Sequence, residues 1–148
     1  MIVKKSTVAE VEAAPTFADL LAEYAAESAI AGLPPPSAKM VTYRQLEAGG
    51  LLHVFGATVE GQLVGFISVL AAPLPHYGMS VAVSESFFVA RAHRGTGAGV
   101  KLLRAAEARA REIGSPGLLV SAPYEGDLFH VLPRLGYTEA SRVFFRRS

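Results

Sequence analysis

The sequence predicts a mixed α/β domain, and three observations predict it. A β-rich run, Ser80–Val89, ends in a turn with glycines at 95, 97 and 99, and an amphipathic helix follows at once to Ile113. After Gly114 and Pro116 comes a short apolar run, Gly117–Ala122, so that a helix joins two strands as a crossover would. Upstream, Leu51–Val59 and Leu63–Leu70 alternate around Glu60-Gly61-Gln62 as a hairpin with a glycine-bearing turn.

Taken in order, Ile2–Lys5 reads as a first strand. Thr16 after Pro15 is a candidate N-cap, and Phe17, Leu20, Leu21, Tyr24 and Ala25 recur at helical spacing, which predicts a helix over 16–29. Gly32 and the run Pro34-Pro35-Pro36 stop it, and Ser37 or Thr42 is placed to cap a second helix ending near Gly49-Gly50. Gly65, inside a strand, marks a bulge or a close backbone approach. Residues 71–79 form a loop carrying His76 and Tyr77. Period two sets Val81, Val83, Glu85, Phe87 and Val89 on one face of the next strand. In the helix after the glycine turn, Val100, Leu103, Ala106, Ala110 and Ile113 make the apolar stripe, Lys101, Arg104 and Arg111 face away, and Gly114 supplies the C-terminal cap. The chain closes with a short helix after Gly126, then Leu135-Gly136-Tyr137 and a strand or hairpin ending Val143-Phe144-Phe145.

Composition limits the function classes. With 148 residues and an apolar fraction of 51%, the chain is read as a single domain over 1–148 with a real core. A formal net charge of +1 gives no electrostatic case for nucleic acid or an anionic membrane. The absence of cysteine excludes a thiolate nucleophile, a disulfide scaffold and cysteine-based zinc sites, and the four histidines show no i, i+4 pairing. No metal is expected. Residues 63–84 lack Asp, Glu, Lys and Arg, but Pro73, Pro75, His76 and Gly78 divide them into two strands and a loop rather than a membrane span. The N-terminus, Met1-Ile2-Val3-Lys4-Lys5, has no apolar signal core, and a cytoplasmic location is the expectation.

The chemistry is concentrated in Arg94-Gly95-Thr96-Gly97-Ala98-Gly99-Val100. Glycines without Cβ atoms let a ligand approach the backbone, and the first amides of the following helix point at an anion with the dipole behind them. Arg94 adds a cation at the mouth of the turn. The dinucleotide pattern fails, because its third glycine would fall on Val100, and the triphosphate pattern fails, because Val100-Lys101-Leu102 follows Gly99. What remains is R-x-x-G-x-G on Arg94, Gly97 and Gly99, preceded by Phe87-Phe88-Val89. This resembles the pyrophosphate signature of the GNAT superfamily of acyl-CoA-dependent N-acyltransferases, over residues 80–145 in detail and over 1–79 in the order of elements.

The resemblance implies a GNAT-like α+β fold: a central, mostly antiparallel sheet splayed between a parallel pair of strands and flanked by helices. It implies acetyl-CoA as acyl donor, met by Phe88, Val89, Arg94, Gly95, Thr96, Gly97, Ala98, Gly99 and Val100, with a backbone N–H near Val89 for the developing oxyanion. It implies transfer to a primary amine on a small molecule or peptide by direct attack. A homodimer is allowed; neither nucleic acid nor membrane is implied as partner. Glu85 is the candidate general base, since a carboxylate in an apolar series is either an edge or ion-paired residue or a base whose pKa is raised. Where many members carry the tyrosine that protonates the departing thiolate, this chain has Leu132; Tyr124 and His130 are the nearby substitutes by sequence. His76 and Tyr77 are candidate acceptor contacts. Tyr24 and Tyr43 are either acceptor contacts or packing. A non-catalytic acyl-CoA-binding or sensing module is the alternative that Leu132 keeps open.

Overall fold

The computed structural model describes residues 1–148. One sheet contains five strands in chain order: β1 (Ile2–Ser6), β2 (Leu52–Val59), β3 (Gln62–Leu74), β4 (Met79–Val89) and β5 (Leu118–Val120). The first four pair antiparallel, and β5 runs parallel to β4. The helices are α1 (Val8–Glu12), α2 (Phe17–Ser28), α3 (Met40–Ala48), α4 (Ala98–Glu112) and α5 (Asp127–Val131). None is long and apolar enough to cross a membrane.

Strand alternation feeds two cores. On one face, Ile67, Val69 and Ala82 of the sheet meet Leu102, Leu103 and Ala106 of α4. On the other, Leu52, Val54, Phe66 and Phe88 meet Val8 and Val11 of α1 and Phe17 and Leu20 of α2. Fully burying one such leucine or isoleucine contributes about 1.5–3 kcal/mol, so Ile67 and Leu102, both 0% exposed, are principal anchors of α4 on the sheet. The buried stripe of α4 is Ala98, Leu102, Leu103, Ala106 and Ala110, which corrects the expected one: Val100 lies outside it, 38% exposed. The helix ends as expected at Gly114, whose φ of +79° only glycine adopts without strain. The Gly114 amide bonds Arg111 O and the Ser115 amide bonds Ala110 O, a full Schellman cap.

Four details depart from the sequence reading. The helix α1 was not expected, although Thr7 and Glu10 close a reciprocal capping box at its start. Neither Ser37 nor Thr42 caps α3; Lys39 holds that position, without a side-chain bond. Thr16 is the N-cap residue of α2, as expected, but its side chain makes no capping bond, because its hydroxyl donates to Leu63 O at 2.7 Å and ties α2 to β3. The expected closing strand is absent: residues 138–148 carry no regular structure, with Val143 94% and Phe144 89% exposed.

Two irregularities shape the sheet. Ala57 lies opposite Gly65 and Thr58 opposite Leu63, which leaves Val64 as the extra residue on β3. At Gly65 the chains approach so closely that a Cβ would stand 2.8 Å from Phe88 O. Farther along, Ser68 faces Ser86 and Val69 faces Ser84, which makes Glu85 the extra residue of a bulge in β4. The bulge resets the alternation, so Phe87 and Val89 belong to the α4 face and Glu85 and Ser86 to the other. The uninterrupted face Val81 to Val89 expected from period two is therefore not formed. β5 pairs with Ala82, Val83 and Ser84 and then stops, leaving β4 from Glu85 to Val89 without a neighbour on that side.

Candidate active site

Glu85 sits on the bulge, where β4 and β5 part. It is not buried among the apolar side chains of its strand: it is exposed and lines a cavity of about 490 Å³ bounded by α1, α2, α3 and the sheet. Two hydroxyls orient its carboxylate. Tyr43 Oη donates to Oε1 at 2.8 Å, and Ser68 Oγ donates to Oε2 at 2.9 Å. Ser68 Oγ also accepts the Ser86 amide at 3.0 Å. Its single proton goes to Glu85, so the Ser86 hydroxyl, 2.8 Å away, is the donor between the two serines. Burial raises the Tyr43 pKa above the usual phenol range, and the Glu85 charge adds to it, so Tyr43 stays a donor.

Tyr24 stands beside them. Its ring stacks on Phe88 with centroids 5.2 Å apart, and its hydroxyl accepts the Phe87 amide at 3.4 Å. Burial first, then the Glu85 charge, raises its pKa as well. Tyr24 and Tyr43 thus combine packing with hydrogen bonds into the site. Ser68 was not singled out from the sequence, yet a signal existed: it is the one polar side chain except Gln62 in the run from Gln62 to Leu70.

On the other side of β4, the glycine turn presents its backbone. Gly95 and Gly97 take φ of +83° and +89°, and a Cβ on either would meet nothing within 4 Å. The amides of residues 95–100 have no acceptor within the protein; the first paired one is Lys101, to Gly97 O at 3.0 Å. Thr96 Oγ1 donates to His93 O at 2.6 Å and closes the turn. This row of unpaired donors at a helix N-terminus fits the pyrophosphate of a coenzyme. Phe88 and Ala98 have no side chain to offer such a ligand, being 4% and 1% exposed. The Ala90 amide bonds Val64 O while Val89 faces Gly65, a register that turns the Val89 N–H away from β3, towards the side where β5 diverges.

Arg94 is not a free cation at the turn. Its Nε donates to Val89 O at 2.9 Å, its Nη2 pairs with Glu27 at 2.6 Å, and its guanidinium lies 5.3 Å from the centre of the Phe88 ring. Asp127 approaches it at 3.6 Å. Glu27 also holds Arg91 at 2.9 Å, and the Arg94 bond, more than the others, lowers the Glu27 pKa. This network, which the sequence did not suggest, clamps α2 to the end of β4.

None of the remaining expected residues is hydrogen-bonded to Glu85 or its partners. His76 and Tyr77 pack edge to face on each other at the tip of the β3–β4 hairpin, 5.0 Å apart. Six residues of extended strand separate Met79 from Glu85, about 20 Å, and neither ring lines the cavity. The structure thus places both rings apart from the cavity that Glu85 lines. Tyr124, 78% exposed, rests against Phe129 on the loop after β5 and makes no hydrogen bond to Glu85 or its partners. Leu132 is 8% exposed within the α4 core.

The family model for the acetyltransferase (GNAT) family matches residues 17–126, from the start of α2 through the glycine turn to the loop after β5. No curated protein sequence matches the chain. Among solved structures, a ribosomal-protein-alanine N-acetyltransferase from Brucella melitensis is 23% identical, with TM-score 0.70 over 99% of each chain. The aminoglycoside N-acetyltransferase AAC(6')-Iy in complex with CoA is 18% identical, with TM-score 0.73 over 99% of this chain and 98% of that one. An aminoglycoside acetyltransferase from an uncultured soil metagenomic sample, in complex with sisomicin, is 19% identical, with TM-score 0.72 over 99% of this chain and 95% of that one. At these identities the likeness speaks for the fold. The family model spans most of the sequence and includes both the strand bearing Glu85 and the turn of unpaired amides, and on that ground the chain belongs to the GNAT family of acetyltransferases.

Proposed function

We propose that this protein transfers an acetyl group from acetyl-CoA to a primary amine by direct attack, with Glu85 as general base. The observation that carries the reading is the placement of an oriented carboxylate at the point where β4 loses its neighbour, with a ligand-sized cavity on one side and unpaired amides on the other. Acetyl-CoA bound there supplies the acyl carbon and a thiol leaving group, so no covalent enzyme intermediate is needed.

The amine arrives as an ammonium. Glu85 takes one proton from it, directly or through water, and frees the lone pair. As the nitrogen bonds the carbonyl carbon, negative charge grows on the oxygen, and the Val89 N–H on the open side of β4 is the donor assigned to it. The carbon–sulfur bond then breaks with its electrons on sulfur, and the second proton of the nitrogen is lost as the amide forms. The products are the acetylated amine, free thiol and one proton released to solvent. Tyr124 is the phenol we assign to protonating the sulfur, on the strength of its place on the loop leaving β5. A thiol with pKa near about 8.5 also leaves without an acid, so Tyr124→Phe is expected to lower kcat by a small factor only.

The test is thiol release from acetyl-CoA with a panel of amines. Glu85→Gln keeps the hydrogen-bonding shape and cannot accept a proton, so kcat/KM should fall by roughly 10²–10⁴ while acetyl-CoA still binds. An unchanged rate removes Glu85 from the chemistry. The competing reading, acyl-CoA binding without transfer, draws on Leu132, which occupies the expected acid position and is core. Tight acetyl-CoA binding with no amine acetylated would favour it.

A further inference from the structure

We infer that the acceptor is a small monoamine with an apolar body: its nitrogen on Glu85, its carbon skeleton in the cavity between α2, α3 and the sheet. The inference rests on the transferase reading above and specifies its substrate class.

The cavity has sixteen lining residues, ten of them hydrophobic, and Glu85 is the single charged one. Its volume of about 490 Å³ lies within the range of small-molecule sites. Most of the polar lining is already committed. Tyr43, Ser68 and Ser86 are bonded around Glu85, Tyr24 Oη holds the Phe87 amide, and Ser28 Oγ donates to Tyr24 O. What the walls offer a ligand is therefore one carboxylate, the uncommitted hydroxyl of Ser37, and hydrocarbon, including the rings of Phe17 and Phe66 and the side chain of Met40.

Four acids on the surrounding helices are engaged elsewhere, and Asp19 and Glu10 do not line the cavity. Glu12 pairs with Arg44, Glu47 accepts the Val8 amide at 2.8 Å, Glu23 accepts the Arg91 amide at 2.8 Å, and Glu27 holds Arg91 and Arg94. One ammonium finds a counter-charge at Glu85; a second, carried into the apolar part, would lose its hydration with nothing to replace it. A carboxylate beside the reacting nitrogen fares no better, since no lining residue is cationic and Glu85 repels it. Polyamines, aminoglycosides and free amino acids are thus disfavoured, and arylalkyl or branched alkyl amines are favoured.

The experiment compares kcat/KM at saturating acetyl-CoA for 2-phenylethylamine, phenylalanine, spermidine, sisomicin and a tripeptide amide with N-terminal alanine. The expected order puts 2-phenylethylamine at least 10-fold above every other compound. A polycation, the amino acid or the peptide at the top of that order overturns the inference while the transferase reading stands. No turnover of any amine, with acetyl-CoA bound, overturns both. Met40→Glu supplies a second test in the first turn of α3, where an acidic residue suits the helix dipole. It should raise kcat/KM for spermidine at least 10-fold and lower that for 2-phenylethylamine; an unchanged ratio with normal acetyl-CoA binding counts against the assigned cavity.

Discussion

At the scale of single residues, the site depends on how a carboxylate is aimed. Tyr43 and Ser68 reach Glu85 from different elements, one on α3 and one on β3, so the orientation of the base reports on the packing of the helix against the sheet. A hydrogen bond to a charged group is worth about 1.5–3 kcal/mol when it is well sheltered, and Glu85 is exposed, so the lower end applies. Tyr43→Phe and Ser68→Ala should each lower kcat/KM roughly 10-fold, with acetyl-CoA affinity unchanged. The double variant should lose less than the product of the two, because both bonds serve one carboxylate. A strictly multiplicative loss in a double-mutant cycle would show that they act separately. Glu85 stood out in the sequence as a lone acid in an apolar strand. Its surroundings did not, because a count by twos cannot register one extra residue; the bulge at Glu85 sends Phe87 and Val89 to the opposite face. His76 and Tyr77 attracted notice as polar aromatic loop residues, and loop composition says nothing about which end of a strand the loop occupies.

Among the elements, β3 and β4 dominate, since both irregularities of the sheet lie on them. Gly65 stands opposite Val89, and a Cβ there would meet Phe88 O at 2.8 Å and Val89 Cα at 3.2 Å, backbone atoms that cannot rotate aside. Gly65→Ala should cost about 1–3 kcal/mol in denaturant unfolding, as overpacking does. Because the displaced residues include Val89, it should also weaken acetyl-CoA binding. Gly117→Ala is the matched control: no atom lies within 4 Å of its Cβ and its φ is not positive, so both quantities should stay put. Equal effects of the two substitutions would mean that the close approach at Gly65 is unimportant. The strand–turn–helix unit was legible from glycine spacing and periodicity, and so was the close approach at Gly65. Helix α1 was legible in principle through Thr7 and Glu10, but five residues carry too little periodicity to stand out. The closing strand failed for a different reason. Val143, Phe144 and Phe145 favour extended backbone, yet a strand exists only where a partner lies beside it, and the tail instead passes Gly32, where a Cβ would come within 3.0 Å of the Phe145 ring.

For the whole molecule, charge sets the pH range of stability and the glycine turn sets the response to ligand. The Glu27 carboxyl is held low chiefly by its bond to Arg94, so the stability it contributes is present above the ordinary carboxylate pKa and is lost as pH falls through its lowered value. Tyr24, Tyr43 and Tyr137 are raised, chiefly by burial, so their contribution is complete below about pH 10 and is lost as pH climbs towards their folded values. Tyr137, which donates to Glu107 at 2.8 Å, lies away from the site. Tyr137→Phe should therefore reduce the alkaline slope of unfolding free energy by up to about one proton, and an unchanged slope would assign the alkaline loss to other groups. Ligand acts separately. Acetyl-CoA at about 100 times its Kd should add roughly 2.7 kcal/mol, on the order of 5–10 °C in Tm for a chain of this length. Gly97→Asp sets a negative side chain among the unpaired amides and strains a φ of +89°, so its Tm without ligand will drop; the informative quantity is the shift on adding acetyl-CoA, which should vanish. Should the parent protein shift with NADH or ATP but not with acetyl-CoA, the amides of residues 95–100 hold a different phosphorylated ligand and the proposed acetyl transfer fails with them.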